Sequence, residues 1–132
     1  ERVGDLAVNL AEYTLEADRD VFPEVDVQAI GDVTAEMVRD AMAAYETEDT
    51  AACREIAASD DDLDDLCQDA SEMVVRDLIE TELEDGANVE TLMADVSRLL
   101  LTIRDLERVG DHAVNIAART LYMVENDDEL IY

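Results

Sequence analysis

The chain has 132 residues, enough for one domain with its own core, and its 48% hydrophobic share argues against intrinsic disorder. It carries 36 acidic residues against 9 basic ones, a net charge of −27, and every basic residue is Arg. Lys and Arg are what hold a phosphate backbone or an anionic bilayer, so nucleic acid and a bare membrane are excluded as partners.

One proline, four glycines and few alternating β-branched runs leave no segment that reads as a strand, and the chain is predicted all-α. Val3, Leu6, Leu10 and Leu15 at helical spacing predict a first helix from Glu1 to about residue 19. It stops before Pro23, because proline disfavours helix in the residue preceding it. A second helix is expected from about residue 32, or as early as about 26, to about 47. Gly31-Asp32 would cap it, and Val33, Met37, Val38, Ala41, Met42 and Tyr45 would be its apolar side. Thr50 is the expected cap of a third, longer helix over 51–84, with Ile56, Leu63, Cys67, Ala70, Val74 and Leu78 in line and Asp85-Gly86 as its stop. The fourth starts near Asn88 and runs to about Val124. Its apolar residues are Val89, Leu92, Val96, Leu99, Ile103, Leu106, Val114, Ala117 and Leu121, and Asn126-Asp127-Asp128 ends it. Short turns make the last three helices antiparallel neighbours, an up-down three-helix bundle to which the first helix is an addition. The five methionines, Met37, Met42, Met73, Met93 and Met123, are expected to fill the core.

Cys53 and Cys67 fall on one helix about 21 Å apart, too far to bridge, and read as small buried hydrophobes. No apolar run is long enough for a membrane span and no basic segment precedes an apolar one, so a cytoplasmic location without membrane insertion is expected. Acid enrichment with complete loss of lysine fits a protein soluble in concentrated salt, where surface repulsion is screened within a few ångströms, and predicts a halophilic source. An EF-hand buffer is ruled out, because the loop pattern with its central Gly and closing Glu does not occur.

The most informative feature is a repeat. Glu1-Arg-Val-Gly-Asp-Leu-Ala-Val-Asn-Leu-Ala-Glu-Tyr-Thr-Leu15 matches Glu107-Arg-Val-Gly-Asp-His-Ala-Val-Asn-Ile-Ala-Ala-Arg-Thr-Leu121 at eleven of fifteen positions. Only the second copy is preceded by two helices of its own. Residues 1–22 therefore read as the final helix of an incomplete first repeat and 23–132 as a complete three-helix repeat, and two further helices are expected upstream of Glu1.

The two copies of Glu-Arg-Val-Gly-Asp-x-Ala-Val-Asn-[Leu/Ile]-Ala resemble the closing-helix motif of the PhoU phosphate-signalling regulators, which are built from two three-helix repeats. Asp60-Asp61-Asp62-Leu63-Asp64-Asp65-Leu66 is similar to that family's acidic stretch on the middle helix. The resemblance covers essentially the whole chain. It implies a helical adaptor that restrains a phosphate ABC transporter through its ATPase component, and in signalling bacteria a sensor kinase, so that uptake and the phosphate-starvation response are held down.

The residues themselves allow a chemical reading. Glu107, Asp111 and Asn115 stand four apart and form one stripe of the fourth helix. Composition alone predicts about ten such acid pairs, so spacing is a weak signal and angular position carries more. With Glu107 set to zero, the apolar line centres at about −60° and Asp111 lies at about +40°, so the pair borders the core. Asp60 and Asp64 occupy the same relation to Ile56, Cys67 and Val74 on the third helix, whereas Asp61 and Asp65 look outward. If the two helices pack side by side, Asp60, Asp64, Glu107 and Asp111 meet at their rim, where four like charges require a counter-ion. The all-oxygen ligand set suits iron, Mn, Mg or Ca, and some PhoU relatives bind metal through such carboxylates, as the resemblance implies. Asn115, Glu1 and Asp5 are weaker candidates of the same kind, Glu1 and Asp5 lacking a partner helix.

Gly4 and Gly110 each sit inside a helix at a cost of about 1 kcal/mol relative to Ala, which predicts a close helix approach at both. Arg108 is expected to pair with Asp105 or Asp111 on its own helix, or with an acidic partner protein, and Arg2 repeats the choice. His112 points about 100° away from Asp111 and is not counted as a ligand. One histidine allows no Ser/His/Asp or Cys/His set, and no Gly-rich phosphate loop occurs, so no catalytic activity is expected. A ferritin-like di-metal enzyme or store would need Glu-x-x-His, which is absent. A PhoU-like module of a larger transporter or DNA-binding regulator is the other alternative. The apolar face of the first helix must pack on the bundle or on another copy, and a homodimer is expected.

Overall fold

The computed structural model describes residues 1–16, 25–84 and 89–126. Four helices follow in order: α1 (Arg2–Glu16), α2 (Val27–Thr47), α3 (Thr50–Glu84) and α4 (Val89–Glu125), with no strand among the described residues. The expected ends of the first helix near residue 19 and of the third at Asp85-Gly86 lie outside the described residues, as do Pro23 and Asp127-Asp128.

Local capping sets two boundaries differently from expectation. Asp26, not Gly31-Asp32, caps α2, its carboxylate accepting the Ala29 N–H at 2.9 Å, so Gly31 and Asp32 lie inside the helix. An Asx cap is worth about 1 kcal/mol, which explains why the earlier of two possible starts prevails. At the other end Glu48 takes a left-handed conformation, φ 56°, closing α2 back onto Ala44. Asp49 then caps α3, accepting the Ala52 N–H at 3.1 Å, so Thr50 is already the first helical residue. A turn this tight forces α3 to run antiparallel to α2. Asn126, φ 54°, ends α4 in the left-handed conformation that Asn tolerates.

The core is the mutual interior of α2, α3 and α4, and among the described residues α1 packs on α4 alone. The α3 line is buried as its periodicity predicts from Ile56 to Val74 and extended by Cys53 at the first turn, while Leu78 is only partly buried. On α2 the buried stripe is Ile30, Thr34, Met37, Ala41 and Ala44, and the expected Met42 and Tyr45 are exposed. Thr34 can take a core position because its hydroxyl donates to the Gly31 carbonyl at 3.0 Å. Only Met37 and Met73 serve the core, whereas Met42, Met93 and Met123 are exposed, so the expectation of five core methionines is corrected. Helical spacing alone does not say how wide the covered arc is. On α4 it is wide, since the helix touches α1, α2 and α3, and Val109, Gly110, Ala118 and Thr120 are buried besides the predicted line, while Val89 is exposed.

A charged residue also lies in that arc. Asp105 is 1% exposed, accepts the Tyr13 hydroxyl of α1 at 3.1 Å, and has Arg104 at 3.4 Å. Arg104, not Arg108, is thus the cation beside Asp105. Among the described residues, Tyr13 supplies the hydrogen bond that ties α1 to the bundle. Tyr13→Phe leaves a buried carboxylate oxygen without its donor and should lower unfolding stability by about 1–3 kcal/mol, measured by urea denaturation. An unchanged midpoint would mean that water replaces the hydroxyl.

Candidate metal centre at the α3–α4 interface

Antiparallel packing of α3 on α4 places residues in descending order against one another. Arg54 meets Glu125 at 2.9 Å at one end, and the middle of α3, from Asp60 to Cys67, faces the stretch of α4 from Asp111 to Glu107. Gly110 lets the Leu63 side chain pack directly on α4 there, because a Cβ at that position would collide with Leu63 Cδ2, and Leu63 is fully buried. Gly4, by contrast, has open space where its Cβ would stand, so the close approach expected at both glycines exists only at Gly110.

This approach gathers the acidic residues that flank Leu63 and Gly110. Asp60, Asp64 and Asp111 each offer a carboxylate oxygen, and the three oxygens lie within 4.8 Å of one another. Asp60 is half-buried and Asp64 and Asp111 are exposed, while half-buried Glu107 stands beside Asp64 but outside this metal-spaced group. Burial pushes the Asp60 carboxyl up to about 6, reinforced by the charges of Asp64, Asp111 and Asp61. Burial also raises Glu107, with Asp64, Asp111 and Asp60 adding to it. Asp111 is raised by burial and by Asp64, while His112 and Arg108 draw it back down.

The chemistry of the donors can be tested against a cation. One Asp60 oxygen, Oδ1, is buried with no hydrogen-bond partner, an expensive arrangement for a carboxylate unless something positive meets it. Cys67 lies beside the cluster, but burial and the neighbouring Glu107, Asp64 and Asp111 push its thiol up to about 12. It is therefore protonated at neutral pH and offers a cation no thiolate. What remains is a hard, oxygen-only set that fits Mg²⁺, Ca²⁺, Mn²⁺ or iron.

The other sequence candidates stand apart from this cluster. Asn115, Glu1 and Asp5 are exposed and belong to no group of metal-spaced donors among the described residues. Arg2 and Arg108 are exposed too, and His112 is half-buried next to Asp111. An open groove of about 420 Å³ continues from Asp64 and Glu107 along the same interface, over Cys67, Gln68, Ser71 and Arg104. Sequence reasoning missed this groove and the Tyr13–Asp105 contact. The one available signal for the contact was Tyr13 itself, which breaks the repeat where the second copy has Arg119.

Residues 27–120 match the PhoU domain. Similar curated proteins include the phosphate-specific transport system accessory protein PhoU homolog of Pseudomonas putida, 30% identical over 131 residues, which covers 97% of this chain and 48% of the relative. PhoU homolog 1 of Methanothermobacter thermautotrophicus is 32% identical over 127 residues, covering 94% and 54% respectively. The Xylella fastidiosa homolog is 28% identical over 132 residues, with 98% and 52% covered. The chain spans about half the length of the curated relatives it matches. No solved structure matches it.

Proposed function

The chain belongs to the PhoU family, and on that premise we propose that it is a non-catalytic helical regulator of phosphate uptake whose α3–α4 carboxylates hold a metal ion. The observation that carries the metal reading is the buried, unpartnered Asp60 Oδ1 within a group of converging carboxylates. Asp60, Asp64 and Asp111 are the ligands, with Glu107 completing the set. The cation neutralises the cluster and locks α3 to α4 at that level.

The partner is a phosphate ABC transporter, engaged at its ATPase component, and where one exists a sensor kinase; the regulator acts negatively, by contact. The relatives' names, as accessory proteins of a phosphate-specific transport system, support this reading. Arg2 and Arg108, exposed on the two copies of the repeated motif, are the contact residues. Residues 1–22 and 23–132 correspond to the end of one repeat and a whole second one. No helix among the described residues is long and apolar enough to cross a membrane, which fits a peripheral module. The lysine-free, −27 surface supports work in concentrated salt, and the exposed Met42, Tyr45, Tyr122 and Met123 leave apolar area for a homodimer or the partner.

The test is metal content by mass spectrometry after purification without chelator, beside a variant carrying Asp60→Asn, Asp64→Asn, Glu107→Gln and Asp111→Asn. Stoichiometric metal is expected in the parent and none in the folded variant. Equal metal in both would remove the site.

A further inference from the structure

The groove that runs on from the carboxylates is built differently from them. Arg104 is the one cationic side chain among the described residues that line it, Ser71 adds a hydroxyl, and Gln68 adds an amide that also donates to Glu72 at 3.2 Å. Arg104 is 52% exposed and holds Asp105 only loosely, at 3.4 Å, so its guanidinium has donors to spare within reach of the groove. Along one interface, then, an oxygen-rich, cation-seeking end adjoins a donor-rich end that carries a positive charge. A tetrahedral oxyanion presents acceptors in all directions and can satisfy both ends at once: donors grip one side while a cation screens the other.

We propose that the α3–α4 groove is a binding site for a phosphate group, gripped by Arg104, Ser71 and Gln68 and admitted only when Asp60, Asp64, Glu107 and Asp111 hold a divalent cation. This rests on the metal reading above, because a −27 chain repels a bare anion and Asp64 and Glu107 border the groove itself. The ligand is inorganic phosphate or a phosphate monoester. An open groove of about 420 Å³ admits either.

Equilibrium dialysis of the full chain against labelled inorganic phosphate, with Mn²⁺ or with chelator, reads the site directly, and Mn²⁺ is counted in the same samples. About one phosphate per chain is expected with Mn²⁺ and none with chelator. Arg104→Ala should keep its Mn²⁺ and weaken phosphate binding about ten- to a hundredfold, the loss of one charge-assisted hydrogen bond. Arg104 also accompanies buried Asp105, so Ser71→Ala is run beside it as a variant that leaves that pair intact, with a smaller loss expected. Competition by a nucleoside monophosphate distinguishes the ester from free phosphate. Mn²⁺ bound without phosphate, or phosphate bound equally by both variants, overturns the groove site and leaves the metal reading standing. Phosphate bound equally with chelator overturns the dependence on the cation. Absence of Mn²⁺ from the parent overturns both.

Discussion

The metal-free protein should be more stable at pH 5 than at pH 7.5, and a saturating divalent cation should reverse that order. Asp60 titrates at about 6 in the folded chain and at about 3.9 in an unfolded one, and Glu107 and Asp111 are raised in the same direction. When the folded pKa is the higher, the native state binds more protons between the two values. The stability this contributes is complete below about pH 4 and is lost as pH rises through about 6. This is the opposite of the usual salt-bridged carboxylate. A cation restores what deprotonation removes, and at a concentration a hundredfold above its dissociation constant it adds about 2.7 kcal/mol, or roughly 10 °C in Tm for a domain of this size. Thermal melts at the two pH values, with Mn²⁺ and with chelator, check both statements. In the four-carboxylate variant described above, both the pH slope and the Mn²⁺ shift should largely vanish. A parent whose Tm ignores Mn²⁺ at pH 7.5 would end the metal reading.

The two repeated glycines should answer opposite ways to the addition of a side chain. Gly110→Val places a branched side chain against Leu63, which is fully buried and has little room to move. Overpacking of this sort typically costs about 1–3 kcal/mol, offset only in part by better helix propensity, and a net loss of about 2 kcal/mol is expected. The helices would also separate where Asp111 faces Asp60 and Asp64, so Mn²⁺ affinity should fall in a variant that still folds. Gly4→Ala meets nothing within 4 Å and should stabilise the chain by about 0.5–1 kcal/mol through helix propensity alone. Urea denaturation of the two variants reads the contrast. Equal effects would mean that Gly110 does not set the α3–α4 distance.

How legible the molecule was in its sequence varied with the local signal. On α3 the apolar residues are separated by long acidic stretches, so the buried line from Ile56 to Val74 follows from periodicity. On α2 small and apolar residues occur on several faces, and the register is decided by packing against α4, which selects Thr34 and Ala44 over Met42 and Tyr45. The caps were displaced by one residue at α3 and by about one and a half turns at α2, because Asp26 and Asp49 each supply an acceptor that a reading of apolar periodicity does not weigh.

The sequence by itself determined the all-helical class, the antiparallel order of the last three helices, the repeat, and which faces of α3 and α4 carry Asp60, Asp64, Glu107 and Asp111. These are consequences of local propensity, turn length and helical angle, which act within a few residues. Only the tertiary structure decided that those faces meet, with oxygens of Asp60, Asp64 and Asp111 within 4.8 Å of one another, that Cys67 is held protonated beside them, and that Asp105 is buried beneath Tyr13. The physical reason is distance along the chain. Asp60 and Asp111 are 51 residues apart, and Tyr13 and Asp105 are 92 apart. Whether such residues touch depends on how closely two helices approach, which here turns on the absence of a side chain at Gly110.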